Sequence, residues 1–182
     1  MNTNKRTIYK SKYTSKTEVR DLMESIFTAE LIKPSECLWL VAPWISDIEI
    51  FDNSSGKFSI FPDYEGRKVP LSAVLKEIAY RGGSIVVVTS DDAPNESFKA
   101  AITRRFYESG LEGQLSLHIE PVDELHTKAI TGDDFVLDGS MNFTRNGVEI
   151  KDERIHFSME TAEVSGSILH CEAKYGRGRS IQ

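Results

Sequence analysis

The sequence predicts an α/β domain, built on a mixed, mostly parallel β-sheet flanked by helices, and three observations predict it. Two uninterrupted apolar runs, LWLVAPWIS at 38–46 and SIVVVTS at 84–90, read as strands buried on both faces. Amphipathic helical patterns precede the first run and flank the second, which is the alternation of a sheet with crossover helices. Beyond residue 114 the chain changes to short strand-like segments between turn formers, and a hairpin over 125–140 adds antiparallel strands to that sheet.

In chain order, residues 1–14 read as a flexible basic segment. Ser15 and Glu18 have the spacing of a capping box, and Val19, Leu22, Met23, Ile26 and Phe27 recur at helical spacing, so a helix runs over about 16–32 and stops before Pro34. The run at 38–46 is the first buried strand. Residues 52–70 are rich in turn formers and read as a loop containing a short hairpin. LSAVLKEIAYRGG is a helix with apolar Leu71, Val74, Leu75 and Ile78, closed at Gly82 or Gly83. The strand at 84–90 follows, then a helix in ESFKAAITRRFYESG ending near Gly110. QLSLHIE, LHTKAIT, FVLDGS and RIHFSM are short strands. The resulting organisation is one domain at 15–173, between the basic segment 1–14 and a basic tail at 174–182.

A chain of 182 residues, 40% hydrophobic and 27% charged, has the length and composition of one ordinary globular domain. No run approaches the apolar length of a membrane span, so no membrane partner is expected. The N-terminus has no apolar segment behind its basic residues; no secretory signal is expected and the default location is cytoplasmic. Cys37 and Cys171 make neither a disulfide framework nor a metal cluster, and read as buried or inert thiols. The formal charge of −6 argues mildly against a generic nucleic-acid binder, but its distribution is uneven. Residues 1–20 carry a net +5 and residues 174–182 a net +3, which leaves the body at −14. Basic ends on an acidic body suit either solvated tails or arms that hold a polyanion.

Chemistry concentrates in HTKAITGDDFVLDGSMNFT, residues 126–144. In a strand, residues i and i+2 share a face, so His126 and Lys128 stand side by side, an imidazole next to a fixed positive charge. A neutral, oriented imidazole is a competent nucleophile toward phosphorus. A Lys ammonium and the Asn142 amide are donors for nonbridging oxygens as charge builds. Ser140 is short and follows Gly139, so its hydroxyl and nearby backbone N–H suit a close phosphate contact. A carboxylate bonded to the far imidazole nitrogen would set its tautomer. Asp133 or Asp134 in the turn, and Asp138 in the hairpin, are all available for that role. No cofactor is required, and no His/Cys/Asp/Glu cluster has metal-ligand spacing. Arg145, three residues after Asn142, is a candidate for phosphate contact.

Other polar and aromatic residues have plainer readings. His118, His156 and His170 lack a comparable setting and read as structural or exposed. Lys99, Arg104 and Arg105 read as a solvated helix face. Trp44 reads as core or as lining a groove. Phe58, Phe61 and Tyr64, interleaved with Lys57, Arg67 and Lys68, suit either base stacking or a loop tucked against the core.

The spacing His126-x-Lys128, Asp133 after four residues, then Gly139-Ser140-x-Asn142, resembles the signature of the phospholipase D superfamily. The resemblance extends over roughly residues 16–160: LWLVAPWIS is similar to that family's first core strand, and Glu153 sits where the family often has an acidic residue. Five residues separate Asp133 from Gly139 where the family commonly has six. The resemblance implies catalysis by His126, Lys128, Asn142, Asp133 and Glu153, with phosphate held by Lys128, Ser140 and Asn142; Arg145, by its nearness to Asn142, joins them as a phosphate-binding candidate. It implies a phosphohistidine intermediate and, because the chain carries one motif, a homodimer in which His126 of each subunit faces the other across an isologous interface. The implied function is a metal-independent phosphodiesterase acting as a nuclease, on DNA before RNA, resembling components of bacterial restriction or phage-defence systems that work with further protein partners. The alternatives are a nucleic-acid-binding or assembly subunit that does not cut and, third, a phospholipid phosphodiesterase.

Overall fold

The computed structural model describes residues 4–11, 13 and 16–178. A seven-stranded sheet contains β1 (Lys5–Lys10), β2 (Cys37–Val41), β5 (Ser84–Ser90), β6 (Leu115–Glu120), β7 (Ala129–Thr131), β8 (Val136–Gly139) and β9 (Glu153–Ser158), in the order β1-β9-β8-β7-β2-β5-β6. A separate ribbon pairs β3 (Glu49–Asn53) with β4 (Arg67–Pro70). The helices are α1 (Lys16–Ile32), α2 (Leu71–Tyr80), α3 (Glu96–Glu108) and α4 (Thr161–Tyr175).

The sheet is mixed and flanked by helices, but the parallel pairs are confined to β2–β5 and β5–β6. The pairs β2–β7, β7–β8, β8–β9 and β9–β1 are antiparallel, so antiparallel pairing outweighs the parallel pairing expected. The reason is connection length. Helices α2 and α3 return the chain for parallel strands, whereas β7, β8 and β9 follow one another through turns and a short segment.

β2 and β5 are buried along their whole length, and alternation explains their continuous apolar sequence. Leu38, Leu40, Ile85 and Val87 face the larger core with Phe27, Val74, Leu75 and Phe98 from α1–α3. Cys37, Trp39, Val41, Val86 and Val88 face a smaller cluster closed by Cys171 and Tyr175 of α4. α4 therefore covers the second face, and the sequence reading had no helix there.

Two terminal expectations are corrected. Lys5–Lys10 is not a flexible segment: it pairs with β9 from Lys5↔Ser158 to Lys10↔Glu153. Its Ile8 is core and Lys10 is buried, its Nζ donating to the Lys151 carbonyl at 2.5 Å. The tail is anchored as far as 178: Trp39 Nε1 donates to the Gly176 carbonyl (2.8 Å), and Arg177 pairs with Glu36 and Glu172, both at 2.9 Å. Ser15, assigned to the capping box, and residues 179–182 lie outside the described residues; Glu18 is paired with Arg6.

The aromatics of residues 52–70 belong to the core. Phe51 contacts Phe58 and Phe61 with ring centroids 4.9 and 5.8 Å apart, and Arg67 and Arg105 lie over Tyr64. Both cysteines are buried and free, and burial pushes the Cys37 thiol up to about 12.

Candidate active site

The directions of the strands decide which side chains meet. Parallel β2 and β5 end at one edge of the sheet. β7 runs against β2, so the segment preceding it, Leu125–Lys128, lies at that same edge. β8 ends there and β9 begins there, with Gly139 opposite Ile155. His126, Lys128, Ser140, Asn142 and Glu153 therefore converge where the parallel strands end, the usual crevice for ligands in open α/β sheets.

His126 is exposed and precedes the regular strand, which is shorter than the one expected over LHTKAIT. Lys128 is half-buried, lining a small niche with Leu137, Asp138, Met141, Phe143 and Ile155. Its Nζ donates back to the His126 carbonyl at 2.9 Å, leaving two of its three ammonium protons for an anion. Asn142 accepts the Trp44 backbone N–H on Oδ1 at 3.3 Å. That bond orients the amide, so its NH2 group remains as the donor.

Gly139 is required by its surroundings. Its φ is +145°, and a Cβ would lie 2.1 Å from the Arg154 carbonyl oxygen. This close approach of β8 to β9 sets the position of Ser140, whose N–H donates to Arg154 O and whose Oγ accepts the Arg154 N–H, both at 3.0 Å. The Ser140 hydroxyl donates to the Glu153 carboxylate. Both polar groups of Ser140 are thus already engaged, the hydroxyl by Glu153.

Asp133 is not brought to this edge. It lies in the β7–β8 turn, where its carboxylate accepts the Glu36 N–H and its own N–H donates to Ser35 Oγ, both at 2.8 Å. At ~3.3 Å per residue the intervening strand puts it on the order of 20 Å from His126. Asp134, beside it, pairs with Lys33 at 3.0 Å. Asp138 stands opposite Ala129 on β7 and His156 on β9; burial raises its carboxyl pKa while His156 opposes that shift. His156 itself bonds Glu163 (3.2 Å) and Thr7 (3.3 Å), a structural role.

Beyond Asn142 the chain turns through a short helical segment, Asn146–Ile150, and a cleft of about 420 Å³ opens beside it. Its cations are paired: Arg20 and Arg145 with Glu149 at 2.6 and 3.2 Å, and Lys68 with Glu49 at 2.7 Å. Arg145 is the most exposed of these and the nearest in sequence to the motif. Among the described residues no group of three or more His, Cys, Asp or Glu side chains is disposed to hold a metal ion, and no helix is long and apolar enough to cross a membrane.

The sequence reading missed the polar scaffold beneath Pro43–Ile45. Asn95 is fully buried; its Nδ2 donates to Pro43 O (2.8 Å) and its Oδ1 accepts the Ile45 N–H (2.9 Å). An Asn just after the Asp91-Asp92-Ala-Pro turn was the available signal, but its partner lies 52 residues away.

A family model described as cardiolipin synthase, phospholipase D-like domain, matches residues 48–166. No curated protein matches the chain in sequence. NucT from Helicobacter pylori is similar in structure at 11% identity, with 95% of this chain and 97% of that one covered and a TM-score of 0.56. Nuc, a phospholipase D family member from Salmonella typhimurium, is similar at 18% identity over 96% and 95% of the two chains, with a TM-score of 0.56. Polyphosphate kinase from Porphyromonas gingivalis is similar at 14% identity and a TM-score of 0.62, over 98% of this chain but 27% of that one. The chain belongs to the phospholipase D-like family.

Proposed function

We propose that the protein is a metal-independent nuclease that hydrolyses DNA phosphodiesters through a phosphohistidine at His126. The observation that carries this reading is the gathering of Lys128, Ser140, Asn142 and Glu153 beside an exposed His126 at one sheet edge. A neutral imidazole nitrogen attacks phosphorus as the bond to the leaving oxygen breaks. That oxygen takes a proton from a second imidazole, for which the single motif supplies only His126 of another copy. Water then attacks the phosphohistidine, gives its proton to the second imidazole, and the N–P bond breaks. Lys128 and the Asn142 NH2 hold the nonbridging oxygens. Arg145 extends the phosphate contact, exchanging Glu149 for the substrate.

NucT and Nuc span nearly the whole of this chain, and that similarity in size supports a nuclease over a phospholipid enzyme. A place in a restriction or phage-defence system, with protein partners at the basic ends, goes with this reading. The second reading, a subunit that binds nucleic acid without cutting, is favoured by the paired cations of the cleft and the engaged Ser140 hydroxyl.

The test is cleavage of labelled single- and double-stranded DNA in excess EDTA by the wild type and His126→Ala. Cleavage that survives EDTA and is lost in the variant supports the nuclease. Binding without cleavage by either protein selects the second reading.

A further inference from the structure

We infer that Trp44 is a stacking platform for an unpaired nucleobase next to the scissile phosphate, which makes single-stranded nucleic acid the preferred substrate; this rests on the nuclease reading above. Trp44 is 37% exposed, in contrast to Trp39 at 1%. The antiparallel β2–β7 ladder has its last pair at Val41↔Ala129, so the residues just past β2 and just before β7, Trp44 and His126 among them, lie at one edge of the sheet. The indole therefore belongs to the same edge as the His126 imidazole. It is also tied to the catalytic group beside it, because its backbone N–H is the donor that orients Asn142.

The segment bearing Trp44 is held far more firmly than an exposed loop requires. Ala42 N–H donates to Val88 O (3.0 Å). The Pro43 carbonyl accepts from Ser90 Oγ (2.6 Å) and Asn95 Nδ2 (2.8 Å). Ile45 N–H donates to Asn95 (2.9 Å) and Ser46 N–H to Phe143 O (2.9 Å). The ring has its own anchor as well: Nε1 donates to Asp92 Oδ2 at 2.9 Å. An exposed indole N–H can be satisfied by water, so this bond fixes the orientation of the ring. A rigid aromatic face loses little entropy when a base stacks on it.

Charge sets the direction of the strand across the edge. Asp92 is bonded to the indole itself, whereas Lys128 lies against His126. A nucleotide with its phosphate on the motif side and its neutral base over Trp44 satisfies both. A base paired in a duplex does not present its face, so the platform selects an unpaired one.

The experiment measures binding of a short oligodeoxythymidylate, and of an abasic strand of the same length, by fluorescence anisotropy, with every protein, the one that is wild type at Trp44 included, carrying His126→Ala so that neither strand is cut. Indole emission is followed in parallel, and because Trp39 is buried the change reports Trp44. The wild type is expected to bind the base-bearing strand about 5- to 100-fold more tightly than the abasic one, with quenching. Trp44→Leu, which keeps apolar volume without a π face, should reduce that ratio to about one and leave abasic binding unchanged; Trp44→Phe should recover part of it. Equal binding of both strands by the wild type, or an unchanged ratio in Trp44→Leu, overturns the platform while leaving the phosphate site standing. Failure of the wild type to bind either strand overturns the nucleic-acid reading, and the platform with it.

Discussion

Asp133 and Ser140 show how residue type alone misleads and how partners correct it. Asp133 falls at the motif spacing, yet its carboxylate holds the Glu36 N–H at the opposite end of β7. Asp133→Asn is therefore expected to cost about 1 kcal/mol of stability and to leave cleavage within about twofold. Thermal melting and initial rates check this, and a hundredfold loss of rate would return Asp133 to the chemistry. His126→Ala should lower kcat by at least ~10⁴-fold, as removal of a nucleophile does. Asn142→Ala should lower it by about 10²- to 10³-fold, as loss of one preorganised donor does. A smaller effect at Asn142 than at Ser140 would mean that the hydroxyl, once released from Glu153, is the better phosphate donor.

At the scale of elements, the join between β8 and β9 and the seat of α4 are the sensitive places. Gly139→Ala puts a methyl against the Arg154 carbonyl at a φ that L residues avoid, and should destabilise by at least ~2 kcal/mol. Urea unfolding tests it, and an unchanged midpoint would show that β8 and β9 part easily. Glu163 on α4 bonds Lys5 of β1 and His156 of β9, joining three elements. The bond from Lys5, first, together with those from Ser158 and His156, lowers its pKa from 4.5 to about 2. A depressed carboxylate contributes stability that is present above its unfolded pKa and lost as pH falls through the folded value. Stability should thus decline between pH 4.5 and 2, and Glu163→Gln should flatten that part of the profile. Because the group is exposed, added salt should reduce the difference between the two proteins.

At the scale of the whole molecule, the proposed mechanism, with one motif per chain, makes catalysis a property of an assembly. With a composite site, mixing equal amounts of wild type and His126→Ala, followed by subunit exchange, should leave about a quarter of the wild-type rate per total protein. Independent monomers would leave half. Sedimentation of the unmixed proteins reports the assembly directly, and a monomer that cuts at full rate would remove the need for a second His126.

What was legible in the sequence was what local periodicity encodes. The bounds of α1 at 16–32 and of β5 at 84–90 agree with the expectation, because apolar spacing and flanking turn residues specify them within a few residues of chain. The motif His126-x-Lys128 with Gly139-Ser140-x-Asn142 stood out as a pattern because its types and intervals are chemically unusual together, and the structure brings these residues and Glu153 to one edge. β1 was hidden because an edge strand needs few apolar residues, and its ladder partner lies about 150 positions away. α4 was hidden because it covers a small cluster, so only Val164, Cys171 and Tyr175 along it are buried. Sequence by itself determined the elements with strong local periodicity and the chemical inventory. Only the tertiary structure decided that Asp133 sits at the wrong end of a strand and that the Trp44 N–H meets Asn142. Strand direction and register are set by pairings between distant segments, and no local pattern contains them.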